Sequence, residues 1–194
     1  MRHFPLKFLS VLLLSAPVWA DIGTNSIEDS APPATGAAVD GVMDGTGSFS
    51  ASIPVADLIV VHKAERRLYL MRRGEVLRTF RVALGLQPEG PKERAGDFRT
   101  PEGRYLLTRR NPRSDYFLSI QVSYPNDQDV RRARHQHVDP GGSIMLHGLP
   151  NTLRHPPEYY ERSDWTDGCI AMSDSDMVEL WMMTQDNTPI DIRP

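Results

Sequence analysis

The chain has 194 residues, 40% of them hydrophobic and 24% charged, with a formal net charge of −3 and a single cysteine. That length and balance fit one globular domain and exclude a collagen-like or wholly disordered chain. One cysteine excludes an internal disulfide framework, and the small net charge gives no bulk field to attract nucleic acid or anionic lipid.

Residues 1–20 have the pattern of a cleavable secretory signal. Arg2 and Lys7 form a basic start, the run from Phe8 to Ala16 is apolar, and Val18-Trp19-Ala20 puts small residues where a signal peptidase reads them. The apolar run falls short of the roughly 20 residues a membrane span needs. No cysteine follows it to carry a lipid, so no membrane anchor is expected. The expected location is the periplasm or the cell wall. Cysteines in such oxidising compartments are normally paired. An unpaired one must be sheltered from oxidants or needed as a thiol.

Residues 21–54 hold 18 Gly, Ser, Ala or Pro, with five acidic groups and no basic one. Such a stretch cannot bury enough apolar surface to offset its ordering entropy, so a flexible acidic tether is expected. Residues 55–194 carry 20 basic and 20 acidic groups and form the expected domain.

Within that domain, Leu58-Ile59-Val60-Val61 is a β-branched run suited to a buried strand. Residues 67–72 suit a second strand, closed by a turn at Arg73-Gly74. Phe80, Val82 and Leu84 alternate with Arg81, Ala83 and Gly85, the pattern of a third strand with one face in the core. Residues 85–103 contain three Pro and four Gly and form a long loop. Strands are expected again at 105–108, at 118–123, and at Ile144-Met145-Leu146 leading into His147. The charged stretch 127–136 suits a short exposed helix. Ser173 and Asp176 have the spacing of a capping box for one main helix through Met183, with Met177, Leu180, Trp181 and Thr184 inward. Residues 188–192 close the chain as a strand. Many short strands and one main helix predict a mainly β fold, a sandwich or barrel-like sheet.

Chemistry concentrates in residues 143–173. Cys169 and His147 supply a thiol and an imidazole, the minimal parts of a nucleophile and its base. Gly168 lets the backbone turn so that amide N–H groups around Gly168 and Cys169 can face an oxyanion. A catalytic thiol is expected to show a lowered pKa. His135 and His137 lack a nearby third ligand and suit a solvated loop better than a metal site. Ser143, Ser163 and Ser173 lack a nucleophile-elbow context.

His147-Gly148 followed by Thr166-Asp167-Gly168-Cys169-Ile170 resembles the catalytic motif of the YkuD-type L,D-transpeptidases, which reads His-Gly, a spacer, then Ser or Thr, His, Gly, Cys. Gly96-Asp97, Thr100-Pro101-Glu102-Gly103-Arg104-Tyr105, Ser123-Tyr124-Pro125-Asn126 and Trp181 with Thr188-Pro189-Ile190 extend the resemblance over about residues 57–194. It implies a β-sandwich with the cysteine facing a cleft, peptidoglycan stem peptides as partner and substrate, and no metal or organic cofactor. Cys169 would attack the carbonyl of the third stem residue and pass the acyl group to an amine, or to water in a carboxypeptidase or wall-cleaving hydrolase. His147 would be the general base, the Gly148 carbonyl would orient its ring, and Gly168 with Cys169 would offer oxyanion donors. Asp167 stands where most members have His, and Ala171 where many have Arg. Asp167 is expected to face His147 or a substrate ammonium. If the signal is processed as its pattern predicts, intact-mass measurement of the secreted protein gives a chain starting at Asp21; a start more than a few residues away would contradict it.

Overall fold

A computed structural model describes residues 52–194, together with two short strands, β1 (Val42–Met43) and β2 (Phe49–Ser50), paired antiparallel. The expected signal lies outside the described residues, as does most of the expected tether. The β1–β2 pair falls inside that tether, where no regular structure was expected.

The domain follows as β3 (Leu58–His62), β4 (Arg67–Arg72), β5 (Glu75–Arg81), β6 (Gly103–Ser114), β7 (Phe117–Val122), α1 (Asp127–His135), β8 (Met145–His147), α2 (Pro157–Arg162), β9 (Ile170–Ala171), α3 (Asp174–Met183) and β10 (Pro189–Arg193). The eight strands β3–β10 form one sheet in the order β5-β4-β3-β10-β6-β7-β8-β9. β6 is twelve residues long, with irregular register past Leu107 and past Asn111. It pairs with β10 through its first half and with β7 through its second, so the sheet bends across it. The two ends of the strand order then meet. Ala83, just past β5, exchanges backbone hydrogen bonds of 2.8 and 2.9 Å with Ala171 of β9. A closed sheet leaves fewer unpaired edges and gives its interior one shared core.

Alternation builds that core. Ile59, Val61, Leu68, Leu70, Leu107, Ile120, Val122, Leu146, Ile170, Ile190 and Ile192 all point inward, with Met177, Leu180 and Met183 of α3 packed among them. Trp181 is half-buried beside them. Ser173 caps α3 by accepting from Asp176 N at 3.1 Å. The reciprocal capping box belongs to α1, where Asn126 and Asp129 bond each other's backbone N–H. α1 falls on the short helix expected at 127–136 and α3 on the expected main helix, while the six-residue α2 was not expected. α1 is also more than a solvated helix, because Asp129 is buried and accepts from Tyr105 Oη at 2.9 Å. Alternation alone could not show that, since the burial comes from a partner 24 residues away.

The long loop between β5 and β6 is tied down by two buried lysines. Lys63 Nζ donates to Gly90 O, Thr100 O and Glu102 Oε1, and burial pulls its pKa below the usual lysine range against the pull of Glu102. Lys92 Nζ meets Asp97 Oδ1 at 2.6 Å. Burial alone would raise the Asp97 carboxyl, but Lys92 and the backbone N–H groups of Arg94, Glu93 and Arg99 outweigh it and hold the pKa at about 2. Removing one partner of such a pair strands the other charge. Asp97→Ala should therefore cost about 3–5 kcal/mol in a urea unfolding titration. The paired replacement Lys92→Met with Asp97→Asn, which keeps an acceptor for those backbone N–H groups, should recover much of that loss; no recovery would mean that the charge pair does not hold the loop.

Candidate active site

His147 and Cys169 are 22 residues apart because β8 and β9 are neighbouring parallel strands. Such strands need a crossover of about a dozen residues or more, and residues 148–169 with α2 supply it. Leu146 pairs with Ile170 and His147 with Ala171. Leu146 and Ile170 point into the core, so by the period of two His147 and Cys169 project from the opposite face. Ser119, opposite His147 on β7, joins them there. These three line a cavity of about 390 Å³ with Ser143, Met145, Trp165, Thr166, Asp167 and residues of the β6–β7 turn.

The His147 ring has a fixed orientation. Its Nδ1 lies 2.7 Å from Gly148 O. A carbonyl only accepts, so Nδ1 carries the proton and Nε2 keeps the lone pair. Tyr116 packs on the ring at 4.6 Å between centroids and Trp165 meets it edge-on at 5.6 Å. This cage explains the titration: burial pushes the His147 pKa down to about 4, and the Gly148 carbonyl offsets only part of that.

The turn that carries Cys169 is held by one hydroxyl. Thr166 Oγ1 donates to Cys169 O at 2.7 Å and accepts from Gly168 N at 3.1 Å. The Gly168 N–H, expected to face an oxyanion, is thus directed at Thr166. Gly168 has a φ of +128°, and a Cβ there would lie 2.6 Å from Arg99 O. Glycine is required because the long loop presses on the turn. Gly85 N donates to Thr100 Oγ1 at 3.0 Å, and Leu86 N to Thr166 O at 3.0 Å, which ties that loop to the turn.

Among the described residues the thiol's hydrogen bond goes to a backbone carbonyl and not to the imidazole. Cys169 Sγ donates to Ser143 O at 3.6 Å, a long sulfur hydrogen bond. The expected lowered pKa is absent. Burial raises the Cys169 pKa, Asp167 raises it further, and the Met145 backbone N–H and Lys92 only partly oppose them. The resting pair at neutral pH is therefore a thiol and a neutral imidazole. Asp167 is exposed on the cavity wall and makes no hydrogen bond among the described residues. Its charge acts on the sulfur, and the local backbone is braced by Thr166 instead. His135 and His137 are exposed and far along the chain from these elements, and no group of three potential metal ligands occurs among the described residues.

The model of the L,D-transpeptidase catalytic domain family, YkuD, matches residues 56–192. The chain belongs to the L,D-transpeptidase catalytic domain family. It is 32% identical over 152 residues to YafK of Escherichia coli K12, a protein assigned to the L,D-transpeptidases, and equally to that of E. coli O157:H7. The match covers 70% of this chain and 54% of those proteins, so the chain spans about half the length of the curated relatives it matches. Among solved structures, the helical cell shape determining protein Pgp2 from Campylobacter jejuni is 25% identical with a TM-score of 0.52, covering 70% of this chain and 46% of that one.

Several residues of this candidate site carried no signal in the sequence. Tyr116, in the β6–β7 turn, and Trp165, in the crossover before β9, look like ordinary aromatics until the fold brings both onto His147. Ser119 sits at an expected outward position, and only the β7–β8 register turns that outside into the cavity wall. Asp115 and Arg113 come from the bent end of β6 and the turn after it. Trp165 Nε1 is buried with no partner among the described residues.

The lowered His147 pKa fixes the sign of a pH effect. Between the unfolded value of about 6.5 and the folded value of about 4, the unfolded chain binds more protons. Stability from this group is full above about pH 6.5 and is lost as pH falls toward 4, about 3 kcal/mol in all. Urea titrations from pH 7 to pH 4 should show wild type losing about that much more than His147→Gln. Parallel losses in the two proteins would mean that the ring is not buried in its neutral form.

Proposed function

We propose that this chain is an exported cysteine acyltransferase that forms a thioester between Cys169 and a peptidoglycan stem peptide and passes the acyl group to an amine. What supports this is the same-face projection of His147 and Cys169 from the parallel pair β8–β9 into one cavity. Cys169 turns from Ser143 O toward His147 Nε2 and gives up its proton as the sulfur attacks the carbonyl of the third stem residue. The resulting oxyanion faces the Cys169 backbone N–H, while Gly168 and Gly148 serve as turn and ring-orienting residues. The imidazolium then protonates the departing D-alanine amine, leaving the thioester. An incoming amine loses its proton to His147, attacks the thioester and restores the thiol.

With a neutral resting pair, proton transfer accompanies attack, and no standing thiolate is exposed to oxidants. The cavity mouth carries the carboxylates of Asp167 and Asp115 and the guanidinium of Arg113. They suit a diamino acid residue that presents an ammonium and a carboxylate. Cys169 is half-buried, which leaves water a path to the thioester and supports a second reading, a carboxypeptidase or a hydrolase releasing wall-bound proteins. The resemblance to Pgp2 supports a part in cell shape.

Purified protein incubated with tetrapeptide muropeptides should release D-alanine and give cross-linked dimers by mass; tripeptides alone would select hydrolysis. Cys169→Ser should abolish both products while the protein stays folded, and His147→Ala should cost about 10²–10⁴-fold. Full activity in either variant would remove the assigned pair. Asp167→Asn should separate two effects. Alkylation by neutral iodoacetamide should quicken, because a charge that raises the thiol pKa is gone, whereas muropeptide acylation should slow by about tenfold through loss of the ammonium contact. Both rates moving the same way would contradict a substrate role for Asp167.

A further inference from the structure

The peptide group that orients His147 is occupied at both ends. Its oxygen, Gly148 O, takes the Nδ1 proton at 2.7 Å. Its nitrogen, Leu149 N, donates to Asp174 Oδ1 at 2.8 Å. The amide before it is held as well, with Gly148 N lying 3.1 Å from Tyr116 O and 3.2 Å from Leu118 O. An amide is a conjugated unit. A carboxylate accepting from its N–H draws it toward the dipolar form and leaves more negative charge on its oxygen, so hydrogen bonds in such a chain strengthen one another.

Two further observations indicate that this contact is built into the site. A Cβ at residue 148 would lie 2.5 Å from Asp174 Oδ1 and 3.0 Å from Phe117 Cβ. Only glycine lets the carboxylate come this close. Nor is Asp174 required to cap α3, since the Ser173 hydroxyl already does so. As the first residue of α3, Asp174 stands at a helix N-terminus, where a negatively charged side chain is favourably placed.

We propose that Asp174 is a positioning residue for the catalytic pair, acting on the His147 ring through the Gly148–Leu149 peptide. Its negative charge strengthens the acceptor that holds Nδ1–H. That hydrogen bond matters most when the ring becomes an imidazolium, which happens as Cys169 loses its proton. The groups packed on the ring itself are Tyr116 and Trp165, and Ser119 and Cys169 share its face; none of them is a carboxylate. Asp174 is therefore the anionic group joined to the ring by an unbroken run of hydrogen bonds. The proposal rests on His147 being the base for Cys169, and it needs nothing from the substrate.

The test is the rate at which iodoacetamide alkylates Cys169 in the full folded chain at pH 7, read by intact mass in a double-mutant cycle. Asp174→Asn keeps the shape and removes the charge, and it should slow alkylation by about three- to tenfold. In a His147→Gln background the same substitution should change the rate by less than about 1.5-fold, because the group it acts through is gone. At a pH above the thiol pKa, where solvent hydroxide takes the proton, the wild-type and Asn proteins should converge. Gly148→Ala displaces the carboxylate from the other side and should reproduce the pattern, which keeps the test open if Asp174→Asn does not fold. Alkylation of Asp174→Asn within twofold of wild type, or slowed equally with and without His147, would overturn the proposal. A His147→Gln protein alkylated at the wild-type rate would instead remove the base assignment on which the proposal rests.

Discussion

The site depends on the parallel pairing of β8 with β9. These strands are only three and two residues long, yet their register decides which residues share a face. A slip of one residue would send the Cys169 side chain into the core and bring Ile170 out to the cavity. Several contacts outside the pair prevent that slip. Met172 N donates to His147 O at 3.0 Å, and Ala171 is clamped from its other edge by Ala83. Leu146 and Ile170 are fully buried, so a slip would also expose large apolar surface. Each hydrogen bond contributes only about 1 kcal/mol, but exposing either aliphatic side chain would cost about 1.5–3 kcal/mol. Core burial thus sets the register, and the hydrogen bonds refine it.

Burial also sets the electrostatics of the pair. Both reactive groups are far enough from water that their charged forms are penalised, which lowers the imidazole pKa and raises that of the thiol. A standing ion pair is therefore disfavoured, and under the proposed mechanism charge would appear only as a substrate carbonyl receives the sulfur. The groups that meet this charge are already aligned. The Gly148 carbonyl lies against Nδ1 of the ring, and the Thr166 hydroxyl holds the backbone of the Cys169 turn. The long loop contributes as a brace: its backbone at Arg99 lies against Gly168, and two buried lysines keep it there.

The strands were largely legible in the sequence, because alternation and β-branched runs report directly on a half-buried sheet. β3, β4, β7 and β10 fall within a residue or two of their expected places, and the inward stripe of α3 holds. The third strand was expected too late. Val82, Ala83 and Leu84 lie beyond β5 because they turn to meet β9 rather than continue along β4. The length of β6 and its bend were hidden, since Arg109, Asn111, Pro112 and Arg113 have no strand pattern of their own. Motif residues were legible as chemistry: one thiol, one imidazole and a Gly where the chain must turn. What lay beyond local sequence was everything set by tertiary contact. That includes the aromatic cage that depresses His147, the thiol turned to Ser143, and the carboxylate of Asp174 reaching back across 25 residues to Leu149.

The central claim is that Cys169 carries the acyl group and that His147 takes its proton. Rapid mixing with a disaccharide tetrapeptide, acid quenching and intact-mass analysis tests it most directly. The account predicts an adduct of the substrate mass less D-alanine, mapped to Cys169 after digestion and formed far more slowly in His147→Gln. D-alanine release that proceeds in Cys169→Ser, or wild-type turnover whose quenched protein carries the acyl group on another residue, would contradict it.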